Sequence, residues 1–275
     1  MIIDAHVYCL PDRLRDPNVR LPLQEALISN ALYRHPQGAY ALGLACPEMI
    51  VASMRRSAID RSALVSLPWR SPALCRENND FILEASRLNR DFLAVCSVQP
   101  RAKAWKLEAQ RCLAAGAAGI KINPVWQGYS LDDPAVHDLA DFVRDRRAFL
   151  MVHVDHAFKI SDSSAGHLCK LAAAHPDTRI LAAHLGGMAG IYALYPPVAE
   201  ILANVWFDTA VSATIRMVKL NIDAGLAGKI VFGSDFPFNH SHRQSQVLRS
   251  IRALKLGAAA EKRIFALNFL SLIRG

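Results

Sequence analysis

The chain has 275 residues, with 32 Lys and Arg against 24 Asp and Glu, a formal charge of +8 with His neutral. Hydrophobic residues make up 52% and charged residues 20%, which excludes a disordered or solvating chain and is enough for the core of one barrel-sized domain. No apolar run approaches the ~18 residues of a membrane span, and the opening MIIDAHVYCL lacks the basic stretch of a secretory leader, so a cytoplasmic protein without membrane contact is expected.

Short apolar runs alternate with helical patterns along the chain. Ile2–Val7 is the first run. It is followed by an Arg- and Pro-rich excursion, and residues 11–47 are expected as an insertion over the rim of the fold, as a lid or a dimer contact. Leu64–Leu67, Leu93–Val98 and Gly119–Ile122 come next. Ser130-Leu131-Asp132-Asp133-Pro134 then reads as a capped helix start, with Val136, Leu139, Ala140 and Val143 at helical spacing behind it. Phe149–Val154 precedes a helix over 163–175 with Leu168, Leu171 and Ala172 on one face, stopped by Pro176. Arg179–His184, Val205–Asp208 and Lys229–Gly233 complete the set. Runs of four to six apolar residues suit strands covered on both sides. Eight of them with helices between predict an α/β chain folded as a single distorted (β/α)8 barrel over residues 1–275. No Gly-x-Gly-x-x-Gly follows a strand, which argues against a dinucleotide fold.

The six cysteines (9, 46, 75, 96, 112 and 169) contain no Cys-x-x-Cys pair and read as buried apolar side chains, not as a disulfide framework or zinc knuckle. Arg55-Arg56 and the basic knot at 144–147 fall on helical segments, so they read as solvated faces and no nucleic-acid partner is expected. A small, anionic substrate is compatible with the basic balance.

In such a barrel every strand delivers its C-terminal end to one rim, so reactive residues at several strand ends converge. The ends carry Asp4-Ala5-His6-Val7-Tyr8, Lys121-Ile122-Asn123, His153-Val154-Asp155-His156, His184-Leu185-Gly186-Gly187 and Gly233-Ser234-Asp235-Phe236-Pro237. Alternation puts His6 and Tyr8 on one face, and Gly119, Lys121 and Asn123 on the barrel's inner face. A buried Lys121 needs an anion, either Asp235, Asp4 or a substrate carboxylate or carbonyl oxygen. Asp155 is expected to orient an imidazole, and Asp208 to be structural or substrate-positioning. Trp126 and Trp69 lie where they can wall a pocket or simply pack. His153-x-x-His156 and His240-x-His242 have ligand-like spacing, but their second members fall in loops. Surface roles suffice for His35, His137, His167 and His175.

With Asp-x-His at the start, the His153 strand, His-x-Gly-Gly, Trp206-Phe207-Asp208-Thr209, Gly-Ser-Asp-x-Pro-Phe and the late Ile264-Phe265-Ala266-Leu267-Asn268, the sequence resembles the amidohydrolase superfamily over essentially its whole length. The likeness is to the amidohydrolase-2 branch that contains aminocarboxymuconate-semialdehyde decarboxylase. It implies one divalent metal, zinc for preference, held by His6, His153 and Asp235. It makes His184 a proton shuttle and Asp235 a catalytic ligand or base, while Lys121, from its burial, is expected to polarise or anchor the substrate. Tyr8, Asn123 and Trp126 are expected at the substrate. One departure stands out: Tyr8 occupies the position of the family's second strand-one His, and leaves three alternatives. The metal has three ligands, or Tyr8 is a phenolate ligand or substrate-orienting hydroxyl, or the site is metal-independent, as one lactonase of this branch is.

The resemblance thus implies a hydrolase, metal-dependent or metal-independent, of a small cyclic or carboxylated amide, lactam or lactone. The alternatives are a non-oxidative decarboxylase of an unsaturated or aromatic acid, and a barrel without turnover that serves as a binding or partner subunit. A homodimer is implied by the resemblance alone.

Overall fold

Eight parallel strands in the order β1 to β8 form one sheet: β1 Ile3–Tyr8, β2 Arg61–Val65, β3 Phe92–Ser97, β4 Gly119–Ile122, β5 Phe149–Val152, β6 Ile180–Ala182, β7 Val205–Asp208 and β8 Ile230–Val231. They belong to a computed structural model that describes residues 1–155, 163–187, 189–210, 215–239 and 241–274. The sheet curls back on itself, because Ala5 and Tyr8 N–H groups donate to the Phe232 and Phe236 carbonyls (2.9 and 2.8 Å) across a bridge between Val7 and Phe236. The result is a nearly closed, single-domain (β/α)8 barrel. All eight expected strands are present. β2 begins three residues earlier than its apolar pattern suggests, and β6 ends two residues before His184.

Two packed layers follow from strand alternation. Ile120, Ile122, Leu150, Val152, Ala182 and Phe207 point outward against the helices. Ile3, Ala5, Val65, Val95, Phe149, Met151, Leu181 and Val231 fill the barrel. The helix Pro134–Asp145 starts where expected, with Asp133 accepting from Ala135 N–H (2.9 Å) and Val136, Leu139, Ala140 and Val143 buried. The helix Ala165–Ala174 buries Leu168, Leu171 and Ala172. All six cysteines are free thiols, five of them buried. Among the described residues no helix is long and apolar enough to cross a membrane.

β1 breaks the simple alternation. Its register runs Asp4 opposite Ser62 and then Val7 opposite Leu64, so one extra residue sits in β1. Such a bulge turns the side chains around it. Ile3 and Ala5 face inward. Asp4 is carried away from the mouth, and its carboxylate accepts from Gln244 Nε2 (2.8 Å) and Ser234 N–H (2.9 Å). His6 and Tyr8 remain at the mouth. The expectation that Asp4 pairs with Lys121 is therefore corrected: the bulge gives Asp4 to a different set of donors.

Between β1 and β2 the helices Asp12–Arg15 and Pro36–Leu44, with short turns between them, add Leu14, Ile28, Leu32, Tyr33 and Leu42 to the same buried cluster as Tyr8 and Trp69. Buried Glu25 fastens this segment by accepting from the Arg70 and Ser71 N–H groups (3.1 and 2.6 Å). These donors precede the helix Pro72–Leu88, whose N-terminal amides favour an anion. Trp69 is fully buried and packs, with its indole N–H donating to Asn78 (3.4 Å).

Phe149 fills the barrel centre beside Gly119, where a Cβ would stand 2.8 Å from the ring. Phe149→Ala should cost about 3–5 kcal/mol, measured by denaturant unfolding; a loss below about 1 kcal/mol would mean the interior is not packed as described.

Candidate functional site

Asp208 organises the carboxyl-terminal mouth. It ends β7, is fully buried, and offers one oxygen to His6 Nδ1 (2.9 Å) and the other to the His184 backbone N–H (2.7 Å). Strands β1, β6 and β7 are thus joined through one carboxylate. Burial alone would raise its pKa, but His6, Lys121 and the His184 amide hold it below the ordinary carboxylate value. The sequence offered only a strand-end position as the sign of this role.

The four residues expected to converge do so. His6 Nε2 lies 3.4 Å from Asp235 Oδ1. His184 Nε2 lies 3.0 Å from His153 Nδ1, and the His6 and His184 ring centroids are 5.6 Å apart. His153 Nε2 in turn meets Asp155 Oδ1 at 3.1 Å, which gives Asp155 its expected orienting position. Trp126 stacks on His153 with its plane 18° off and centroids 6.4 Å apart. Tyr8 is buried between His6 and Phe238, with ring centroids at 5.1 and 5.4 Å. The side chains of His153 and Asp235 remain 21% and 16% exposed, so solvent reaches the site on their side while His6 is sealed.

Local backbone geometry makes these positions available. His184, Leu185 and Asp235 all have left-handed φ (59°, 52° and 60°), which side-chain-bearing residues rarely adopt. The turn at Asp235 is held by the Phe238 and Asn239 amides donating to its carbonyl (2.7 and 3.0 Å). Gly187, also left-handed, is required because a Cβ would run into the Asp155 carbonyl oxygen. Gly233 lets β8 approach His6 and Asp208, whose Cβ atoms a Gly233 Cβ would meet at 3.0 and 3.2 Å.

Lys121 is fully buried, and among the described residues its Nζ has no hydrogen-bond partner. Burial lowers its pKa to about 8, against the opposing pull of Asp208 and Asp235, so it is an ammonium at neutral pH. His6 is lowered to about 4 by burial and by Lys121, and is neutral. Asp235 is pushed well above the ordinary carboxylate range by burial and by the Asp208 charge, which favours its protonated form. Tyr8 is likewise raised by burial and by Asp235 and Asp208, so its phenol is not ionised.

Several other positions resolve differently. Asn123 is buried at the mouth, but its side-chain oxygen caps the short helix Pro124–Gln127 by accepting from Trp126 N–H (3.2 Å). His242 donates from Nδ1 to the Pro237 carbonyl (2.7 Å) and packs on Tyr40. His156 and His240 lie outside the described residues. His175 is not a surface residue: it is buried between His137 (2.8 Å) and Asp141 (3.0 Å), where the end of its helix turns inward.

A metal at His6, His153 and Asp235 requires three donor atoms aimed at one point. Two face each other: His6 Nε2, which has no hydrogen-bond partner and is oriented by Asp208 as a metal-bound imidazole would be, and Asp235 Oδ1. The third does not join them, since both ring nitrogens of His153 face other side chains. Among the described residues no three His, Cys, Asp or Glu side chains form a group able to hold a metal ion. The residues as arranged do not fit a three-ligand centre.

A family model described as Amidohydrolase matches residues 3–268. No curated protein matches the chain. Among solved structures, 5-carboxyvanillate decarboxylase from Sphingomonas paucimobilis superposes with a TM-score of 0.81 at 14% identity, covering 99% of this chain and 98% of that one. A 5-carboxyvanillate decarboxylase from Novosphingobium aromaticivorans, with bound manganese and 3-methoxy-4-hydroxy-5-nitrobenzoic acid, gives 0.77 at 16% identity over 100% and 97%. A probable 2-pyrone-4,6-dicarboxylic acid hydrolase from Acinetobacter baumannii, with citric acid bound, gives 0.66 at 14% identity over 99% and 98%. At these identities the likeness establishes the barrel alone.

The lowered pKa of Lys121 has a measurable sign. Between about pH 8 and 10.5 the folded protein has lost this proton while the unfolded chain keeps it, so stability rises with pH through that window. Lys121→Met should be more stable than the parent by up to about 3 kcal/mol at neutral pH, and the difference should shrink as pH rises toward 10.5. A difference independent of pH in chemical denaturation would show that the ammonium is not buried.

Proposed function

This chain belongs to the amidohydrolase family, and on that premise we propose that it is a non-oxidative decarboxylase of a small aromatic or unsaturated carboxylic acid. The observation that carries the reading is Lys121: a fully buried ammonium without a hydrogen-bond partner among the described residues. An unpaired buried cation is costly, and an anionic oxygen of a substrate relieves that cost. The similar decarboxylase structures, one of them holding a nitrobenzoic acid, support the same class.

The reaction replaces CO2 by a proton. The carbon–carbon bond to the carboxylate breaks, its electron pair stays on the substrate carbon, and that carbon takes a proton. Asp235, whose carboxyl pKa is raised by burial at the solvent-facing edge, is the donor. His184, bound to His153 and through it to Asp155, is the second proton carrier and restores the donor between turnovers. Lys121 holds the substrate's anionic oxygen, Tyr8 offers a phenolic hydroxyl beside His6, and Trp126 bounds the mouth at His153. His6, neutral and fixed by Asp208, presents Nε2 as an acceptor.

Hydrolysis of a carboxylated lactone or lactam, the first expectation from sequence, is the second reading. The Asp155–His153–His184 chain favours it, since a carboxylate-oriented pair of imidazoles suits a water-activating base. Likeness to the probable pyrone-dicarboxylic acid hydrolase supports it too. It stands second because burial and the Asp208 charge favour the protonated form of Asp235, which suits a donor better than a base.

Incubation with a panel of hydroxybenzoic and unsaturated acids should release CO2 and place one solvent proton on the vacated carbon. Asp235→Asn and His184→Ala should each lower kcat by about 10²–10⁴ with circular dichroism unchanged. Acid release from lactones without CO2 from any acid would select the hydrolase instead.

A further inference from the structure

We propose that the cationic element of this barrel mouth is the Lys121 ammonium and not a metal ion, and that with His6 Nε2 it forms a seat for a hydroxycarboxylate. The proposal deepens the decarboxylase reading and rests on it for the class of substrate.

Among the described residues, Lys121 Nζ and His6 Nε2 are buried without a hydrogen-bond partner, and they are opposite in kind. Lys121 Nζ carries only donors. His6 donates a hydrogen bond from Nδ1–H to the ionised Asp208, so its Nε2 is an acceptor. Asp235 Oδ1 stands 3.4 Å from that nitrogen without making a hydrogen bond. Both side chains are wholly buried, and buried polar atoms in folded proteins are nearly always satisfied. A ligand that completes both must bring an anionic acceptor for Lys121 and a hydroxyl donor for His6. A carboxylate with a neighbouring hydroxyl on an aromatic ring or enol does so in one small molecule.

The same arrangement is ill suited to a metal. A divalent ion at His6 Nε2 and Asp235 would have two protein donors, because His153 is turned to Asp155 and His184, and a buried phenol fills the remaining strand-one position. It would also face the charge of Lys121, which acts on His6 and His153 alike. Lys121 is placed by strand alternation: Ile120 and Ile122 turn to the helices, and its strand neighbours are Ser97 on β3 and Met151 on β5, neither of which supplies a charge.

The test is calorimetric binding of salicylate, benzoate and salicylamide to the full chain after treatment with EDTA, with and without excess Mn2+ or Zn2+. Salicylate is expected to bind without metal. Benzoate, lacking the hydroxyl, and salicylamide, lacking the charge, should each bind about tenfold or more weakly. Added metal should change neither these affinities nor the melting temperature. Lys121→Met should erase the preference for salicylate over salicylamide. If that variant fails to fold, the three probes on the parent protein still carry the test.

Salicylate binding that requires Mn2+ or Zn2+, equal affinity for salicylate and salicylamide, or no salicylate binding under any condition would overturn the proposal. The two readings fail separately. Metal-free salicylate binding without CO2 release from any acid ends the decarboxylase reading and leaves the seat standing. CO2 release that depends on added Mn2+ ends the seat and leaves the decarboxylase.

Discussion

One buried carboxylate sets the geometry on which the mouth of this barrel depends. Asp208 holds His6 by Nδ1 and the His184 backbone by its amide, so β1, β6 and β7 share a single negative charge. Removing such a charge from water is expensive unless it is compensated. Here the compensation comes from three hydrogen bonds, from His6 and from the His184 and Ala210 amides, and from Lys121, which has no hydrogen-bond partner among the described residues. His6 is fixed in one tautomer, and burial, reinforced by the Asp208 charge, raises the pKa values of Asp235 and Tyr8. Burial sets the direction of these shifts, and Asp208, which touches no solvent, adds to those of Asp235 and Tyr8.

The backbone carries strain where the side chains converge. His184, Leu185 and Asp235 occupy left-handed conformations, and each lies just beyond the end of a strand. A regular strand would have carried these side chains up and past the centre. The turn shortens the path and points them inward. Gly187 and Gly233 supply the room, one beneath the Asp155 carbonyl and the other against His6 and Asp208. The bulge in β1 belongs to the same set of devices. It removes Asp4 to the outer layer, where Gln244 and Ser234 bind it, and so leaves Lys121 without a neighbouring strand-one carboxylate.

The segment between β1 and β2 ties the site to the outside. Its apolar residues enter the cluster that contains Tyr8 and Trp69, and Glu25 anchors it to the start of the helix Pro72–Leu88. Tyr8 is consequently packed from two directions, by the barrel and by this segment.

The sequence by itself determined the eight strands, the inward direction of Lys121 and the meeting of His6, His153, His184 and Asp235 at one rim. These follow from alternation and from the common direction of parallel strands, both of which are local in the chain. Only the tertiary structure decided that Asp4 leaves the mouth, that Asp208 joins His6 to His184, and that His153 turns to Asp155 and His184 instead of toward Asp235. A bulge is a mismatch between two strands, and a shared carboxylate or a paired imidazole is a contact between segments up to 202 residues apart. Neither leaves a periodic trace in the chain that makes it, because what selects the side-chain direction is the partner and not the neighbours in sequence.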